Sequence, residues 1–462
     1  MSPALDRLRA HPRHLVLAGL LAGQLAVPLA PDAVVLLMAA AAALAGRPPL
    51  ALLCAAAVLT GTVGAHARLA ALDRTQLPPL FGSTVVARVV LLEQPRPARF
   101  GQTALVELRA LAPVGAPVGA PGGGVGAGER AMLRIGSRVA WPPAATGAIV
   151  DVRGRLRALG PFERYMRLRG AHAALALDAA AATGARRRGP LGAVDAIRTR
   201  AERALSTALP APQAALLRGM TLGQDEALDA RTRADFRISS LAHVLAASGQ
   251  NVALLLALAL PLLAWASLGL RGRLLGSLAL IALYVPLAGA GPSIQRAGIM
   301  GAATTVAALA GRPASRWYAL LLAAAATLAL NPRAGGDVGW QLSFAAVVAI
   351  ALLAGRIRSA LTARRMPAPI ADALAVTAAA TLGTAPLLAY HFHQLSLVGI
   401  PANLLAAPAI APITWLGLLA ATAGQLTPQL AAPLNALNAY LLAYVAAIAH
   451  VAASIPYASV SV

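Results

Sequence analysis

From Ser239 onward the chain is a near-unbroken succession of apolar runs, about 240–268, 273–290, 293–311, 316–331, 338–355, 370–390, 395–427 and 434–455, with most charge in the turns between them. A helix needs roughly 17–25 such residues to cross hydrocarbon. Backbone that meets lipid must satisfy its own hydrogen bonds, which leaves a helical bundle as the fold. Three further runs, about 14–30, 32–45 and 49–66, open the chain. Charged residues make up 12% and the mean hydropathy is +0.68, whereas a soluble chain carries about 25% charged residues. The fold class is a polytopic α-helical membrane protein of roughly 11–12 spans, with residues 1–67 a three-span region and 239–462 a multi-span domain.

Arg7, Arg9 and Arg13 precede the first run, as they would in a signal peptide. Gln24 interrupts that run and more runs follow at once, which favours a retained span. With Arg47 between the second and third runs, the positive-inside rule places the N-terminus in the cytoplasm and residues after Arg68 outside, and arginines at 271 and 273, at 312 and 316, and through 356–365 fall in alternate turns that agree with this orientation. No arginine follows Arg365, and the side of the C-terminus stays open. All 39 basic residues are Arg and the net charge is +22. A base-composition bias is the simplest source of that excess, although its field is real. Cys54 is the single cysteine, so no intrachain disulfide can form.

Between about 80 and 180 the period changes to two. Strands are expected at 83–92, 103–111, 131–135, 149–156 and near 173–177, with a Pro/Gly loop at 113–128. Five strands in about a hundred residues suit a small OB-like barrel at 68–190, a fold whose face commonly binds single strands; a plain structural barrel fits the strands equally well. Residues 68–200 hold 20 arginines against 8 acidic residues. Arg153, Arg155 and Arg157 alternate along one strand and share a face, and Arg164, Arg167 and Arg169 follow, which makes a candidate phosphate track or a solvated basic face. Phe81, Phe100, Trp141, Phe162 and Tyr165 are available for stacking. Residues 191–238 are too charged to span and are expected as amphipathic helices on the outer surface.

Polar groups inside the apolar runs mark candidate pathways, because lipid excludes them. In 239–263 a continuous helix would align Ser240, His243 and Asn251, with Ala247 between, and the same half of the run carries Ser248 and Gln250. Arg296 sits in GPSIQRAGIM. Asp337, Gln341 and Phe344 share a helical face, with Ser343 beside them. A structural Arg296–Asp337 ion pair is the competing reading. Pro401, Asn403, Pro408 and Pro412 predict a broken or re-entrant helix with free carbonyls.

Phe236, Leu241-Ala242-His243, Ala247-Ser248-Gly249, Arg296, Asn331-Pro332, Asp337-Val338-Gly339-Trp340-Gln341-Leu342-Ser343-Phe344, Gln394-Leu395-Ser396 and Pro401, Asn403, Leu404 and Pro408 together resemble the ComEC-type competence family. The resemblance implies an inner-membrane channel that imports transforming DNA as a single strand. His243, Ser248, Gly249, Asn251, Arg296, Asp337, Gln341, Ser343 and Asn403 would then line or gate the route, and the arginines at 153, 155, 157, 164, 167 and 169 would guide DNA outside. Two departures matter. Many members carry His where this chain has Asn251, so no imidazole role transfers there. Many continue into a metallo-β-lactamase-like nuclease, whereas here His391-x-His393 lacks the following Asp-His of such a metal cluster. No cofactor, metal or enzymatic activity is expected. No Gly-x4-Gly-Lys loop is present, so the resemblance implies a cytoplasmic motor, a DNA receptor and a nuclease as separate partners, with oligomers allowed. A transporter or flippase of another anionic solute or polymer, and a membrane scaffold with a partner-binding β domain, are the alternatives.

Overall fold

The computed structural model describes residues 9–27, 30–98, 101–114, 126–163, 165–245 and 249–461. Two units form: Leu69–Glu202, and Met1–Arg68 joined with Arg203–Val462. Ser248 and Arg164 lie outside the described residues.

The helical unit opens with α1 (Pro12–Leu25), α2 (Pro31–Ala45) and α3 (Pro48–Leu72). Each begins at a proline, whose fixed φ suits the first helical position and whose missing N–H is no loss there. Gly46, at φ 70°, ends α2 in the left-handed conformation that favours glycine. α1 and α3 touch backbone to backbone: a Cβ on Gly23 would lie 2.0 Å from the Val58 carbonyl oxygen, and one on Gly61 would lie 2.2 Å from that of Leu20. Small residues allow this approach, the main source of helix association where lipid is as apolar as the side chains.

After the β unit come α4 (Gly189–Ser206), α5 (Ala211–Leu222), α6 (Ala230–Ile238), α7 (Gly249–Trp265), α8 (Leu270–Leu287), α9 (Pro292–Leu309) and α10 (Arg316–Leu330). Next are α11 (Val338–Ala349), which a π turn joins to α12 (Gly355–Ala363), then α13 (Ala368–Phe392), α14 (Gly399–Ala423) and α15 (Ala432–Ser454). Among the described residues, six stretches are long and apolar enough to cross a membrane: Pro48–Leu72, Leu270–Leu287, Val338–Ala363, Ala368–Phe392, Gly399–Ala423 and Pro428–Ser454. Pro31–Ala45, Gly249–Trp265 and Arg316–Leu330 are apolar but shorter. The chain is a polytopic helical membrane protein.

α1 and α10 run parallel in constant register. His14 Nε2 lies 3.0 Å from Ser315 Oγ, and Gln24 Nε2 donates to the Ala325 carbonyl at 3.1 Å. The first helix is thus built into the second block.

Three sequence expectations change. The run at 240–268 is not one helix from its start: Ser240 takes φ 62°, a single turn covers Ala242–Leu245, and α7 begins at Gly249. A left-handed residue cannot continue a right-handed helix, so Ser240 leaves the proposed stripe. α5 is not a surface helix, because eight of its residues, including Leu216, Leu217 and Met220, are buried. Its one charge is Arg218, and most of its remaining side chains are apolar. Pro408 and Pro412 do not break α14, which runs from Gly399 to Ala423. The missing proline N–H groups free the carbonyls of Leu404 and Pro408, which neighbouring helices inside a bundle can absorb; Tyr444 Oη reaches this stretch and donates to the adjacent Leu405 carbonyl at 2.9 Å.

In the β unit, β1 (Thr84–Leu91), β2 (Arg96–Ala98), β3 (Gly101–Pro113), β4 (Arg130–Ile135), β5 (Ala148–Ala158) and β6 (Ala171–Arg186) form one sheet in the order β1-β5-β6-β4-β3-β2. β1 also pairs with β3, so the pairings return to their start; β4 and β6 are parallel and the rest antiparallel. Alternate residues (Val85, Ala87 and Val89 of β1; Val150, Val152 and Leu156 of β5) point into a core with Leu77, Leu108, Leu133 and Leu175. This is the period-two pattern read from the sequence.

Candidate functional site: a buried arginine in the helical unit

Arg296 lies in the second turn of α9 and is buried. Its Nη1 donates to the Ser343 carbonyl on α11, its guanidinium lies 5.8 Å from the centre of the Phe344 ring, and its buried Nε has no hydrogen-bond partner. Among the described residues no carboxylate pairs with it. Ser293 Oγ, one turn earlier, sits 3.0 Å from Ser343 Oγ. Gly249 forms the other wall, since a Cβ there would lie 2.5 Å from Arg296 Nη2. Gly249, Arg296 and Ser343 are thereby brought together, with Ser293 and Phe344 as neighbours.

Asn251 belongs to a second cluster two residues along α7. Its Nδ2 donates to the Met220 carbonyl at 2.6 Å and reaches Tyr284 Oη at 3.3 Å. Tyr284 Oη donates to the Thr221 carbonyl at 2.6 Å. The last carbonyls of a helix have no partner in their own ladder. Here two side chains from α7 and α8 satisfy those of α5. His243 and Asn251 line one small cavity with Met220, Val244, Gln250, Ile410 and Thr414. His243 is otherwise exposed, with Nδ1 3.0 Å from the Ser240 carbonyl.

The segment 331–344 is a folded knot. Asn331 Oδ1 accepts from Arg333 N and caps the 3-10 turn Pro332–Gly336. Asp337 Oδ1 accepts from Trp340 N at 2.9 Å and caps α11. Gln341 Nε2 donates back to the Gly335 carbonyl at 2.8 Å, while its Oε1 lies 2.9 Å from His391 Nε2. Trp340 Nε1 donates to Thr327 Oγ1 at 2.9 Å and ties α11 to α10. Asp337 and Gln341 therefore share a turn, and Asp337 does not reach Arg296. Asn403 stands apart, its Nδ2 bonded within α14 to the Gly399 carbonyl.

Two participants carried a sequence signal that went unused. Tyr284 places a hydroxyl inside an apolar run, and Ser293 precedes Arg296 by one helical turn. His391 enters through its contact with Gln341, which its His-x-His spacing does not reveal. Among the described residues no group of three His, Cys, Asp or Glu side chains could hold a metal.

In the β unit, Arg153 and Arg155 are exposed and Arg157 is half-buried, while Val152, Gly154 and Leu156 turn inward. The three side chains share the outer face. Arg157 Nη2 donates to Glu163 Oε1 at 2.6 Å, and both Arg169 Nη atoms reach the Glu93 carboxylate. Arg155 Nε donates to the Gly82 carbonyl at 3.0 Å. Arg153 and Arg167 have no ion-pair partner among the described residues, so their charge is available to a ligand.

The family profile described as competence protein matches residues 220–462. ComE operon protein 3 of Bacillus subtilis is 27% identical over 200 residues, 43% of this chain and 25% of that protein. Uncharacterized protein YcaI of Escherichia coli is 28% identical over 242 residues, 49% of this chain and 31% of that protein. The chain spans about a quarter to a third of the length of these curated relatives. No solved structure matches it.

Proposed function

Since the chain belongs to the competence protein family, whose profile covers more than half of it, we propose that it provides the membrane path by which single-stranded DNA enters during natural transformation. The observation that carries this reading is Arg296, a buried cation with one carbonyl and one ring face for company. At the centre of a spanning helix an isolated arginine costs at least ~2.5–3.5 kcal/mol; Arg296, in the second turn of α9, meets part of that cost, and a hydrogen bond to a charged group returns about 1.5–3 kcal/mol. A nearby carboxylate would have cancelled the charge, so its absence among the described residues leaves a positive site suited to a passing phosphate. Gly249 keeps the backbone clear of the guanidinium. His243, Asn251 and Ser343 continue the polar lining, Asp337 and Gln341 hold the turn that frames it, and Ser248 and Asn403 are proposed to contribute further polar groups along the route.

The β unit supports the same reading. A strand order that closes on itself with one parallel pair is compatible with the OB-like barrel expected from the sequence. With the N-terminus cytoplasmic and this unit outside a bacterial inner membrane, Arg153, Arg155, Arg157, Arg164, Arg167 and Arg169 guide DNA through its phosphates, without sequence preference. A motor, a receptor and a nuclease are proposed to act alongside this chain. Replacing Arg296 with Gln is expected to abolish uptake of labelled DNA while the protein remains in the membrane. Uptake at the normal rate in R296Q sinks the assignment.

A further inference from the structure

We propose that the first halves of α1 and α3, with the start of α10, form a binding site for an anionic phospholipid, the acyl chain lying in an apolar groove and the headgroup phosphate held by arginines at its end. The inference rests on the chain spanning a bilayer and not on what it transports.

The groove has a volume of about 560 Å³, with walls that include Val16, Leu17 and Leu20 of α1 and Leu50, Leu53 and Ala56 of α3. Arg13 and Tyr318 also line it. Leu53 is 57% exposed, so no other described element covers that wall. The helices that build the groove start at the same end. α1 meets α3 at Gly19–Cys54 and Gly23–Val58, and it meets α10 at His14–Ser315 and Gln24–Ala325. In both pairs the residue numbers rise together, so all three helices run parallel.

That common end gathers Arg13, Arg47 just before α3, and Arg316 at the first position of α10, all exposed. None has a hydrogen bond or ion pair to another described side chain. The segments that form this end, 9–16, 44–53 and 311–319, contain no Asp or Glu. An uncancelled arginine cluster at the mouth of an apolar groove between membrane helices is complementary to one kind of occupant, a lipid with a net negative headgroup. Guanidinium groups match phosphate oxygens in a two-pronged geometry. The Tyr318 ring and hydroxyl suit the level where chains meet headgroups. By the positive-inside rule the leaflet is the cytoplasmic one. A zwitterionic lipid fills the same walls but leaves the cluster without its counter-charge.

The test is native mass spectrometry of the full-length protein in mild detergent, offered equal amounts of phosphatidylglycerol and phosphatidylethanolamine. Phosphatidylglycerol should be retained in preference. R13Q and R316Q should each reduce that preference by about fivefold, the effect of one arginine beside an anionic surface. A56W, which fills the groove from an exposed position, should remove retention of both lipids. A phosphatidylglycerol with a photoreactive acyl chain should label peptides 12–20 and 50–60, which keeps the proposal testable if A56W fails to fold. Equal retention of the two lipids, an unchanged preference in both arginine variants, or labelling confined to other helices overturns it. So does a lipid-insensitive dimer whose contact covers Leu53, because a second copy would then be the occupant.

Discussion

Substituting Gly249 with Ala isolates the contact on which the Arg296 site depends. The new Cβ falls 2.5 Å from Arg296 Nη2 and 3.2 Å from the Ala297 Cβ. A guanidinium can move, but here it must leave the Ser343 carbonyl and the face of Phe344 to do so. The first loss costs about 1.5–3 kcal/mol and the second about 0.5–2 kcal/mol. Alanine returns at most ~1 kcal/mol of helix propensity, and less at the first residue of α7. A net destabilisation of about 1–4 kcal/mol follows. The assay is a double-mutant cycle read by SDS titration of the purified protein in mixed micelles. In an Arg296→Ala background the obstruction is gone, so the cost of G249A should fall to a few tenths of a kcal/mol, a coupling of about 2 kcal/mol. Equal costs in both backgrounds would refute the reasoning, because Gly249 would then be answering to something other than the guanidinium.

Three further outcomes are expected. Tyr284→Phe strips the Thr221 carbonyl of its donor inside the bundle and should cost about 1–3 kcal/mol in the same titration. Asp229 caps α6 by accepting from the Thr232 N–H and hydroxyl, and those bonds hold its carboxyl below the usual range. A depressed pKa means the benefit is present above the unfolded value of about 4 and is lost as pH falls through the folded one. Asp229→Ala should therefore cost about 1 kcal/mol at pH 7, and the difference from wild type should shrink on acidification toward the folded pKa. In the full-length protein, replacing Arg153 and Arg167 with Gln should weaken single-stranded DNA binding and lower the slope against log salt by about 0.7 per lost phosphate contact. Unchanged slopes would remove these two side chains from the DNA-facing surface.

The strands were legible because one face of each is buried, and burial on a pleated ribbon writes itself as a period of two; Val85, Ala87 and Val89 are enough to show it. The apolar runs were legible for the corresponding reason in lipid. Interruptions inside those runs were not. Nothing in the letters at 239–241 requires Ser240 to take a left-handed φ, a property set by how α6 turns into the bundle. Pro408 and Pro412 misled in the opposite direction, since the damage a proline does depends on whether neighbours absorb the freed carbonyls. The polar residues of the candidate site were found as a set, but their pairing was not. Asp337 and Arg296 looked like partners by charge, whereas Asp337 is spent on the first turn of its own helix and Arg296 reaches a carbonyl six residues further along. Charge complementarity is visible in sequence, while the rotation that places two groups on the same side of a helix pair is not.

The register between α1 and α10 sets a clock for synthesis. Gln24 and Ala325 are 301 residues apart, and at about 5–20 residues per second the ribosome needs roughly 15–60 s to bridge that interval. For that time Gln24 waits in the first helix without its native acceptor, as Arg68 waits for the Leu330 carbonyl 262 residues later. The first three helices are therefore an unfinished product held in the membrane until the tenth arrives. Insertion factors and quality-control proteases meet them in that state, and a chain truncated anywhere before residue 325 should be cleared from the membrane faster than the full-length protein.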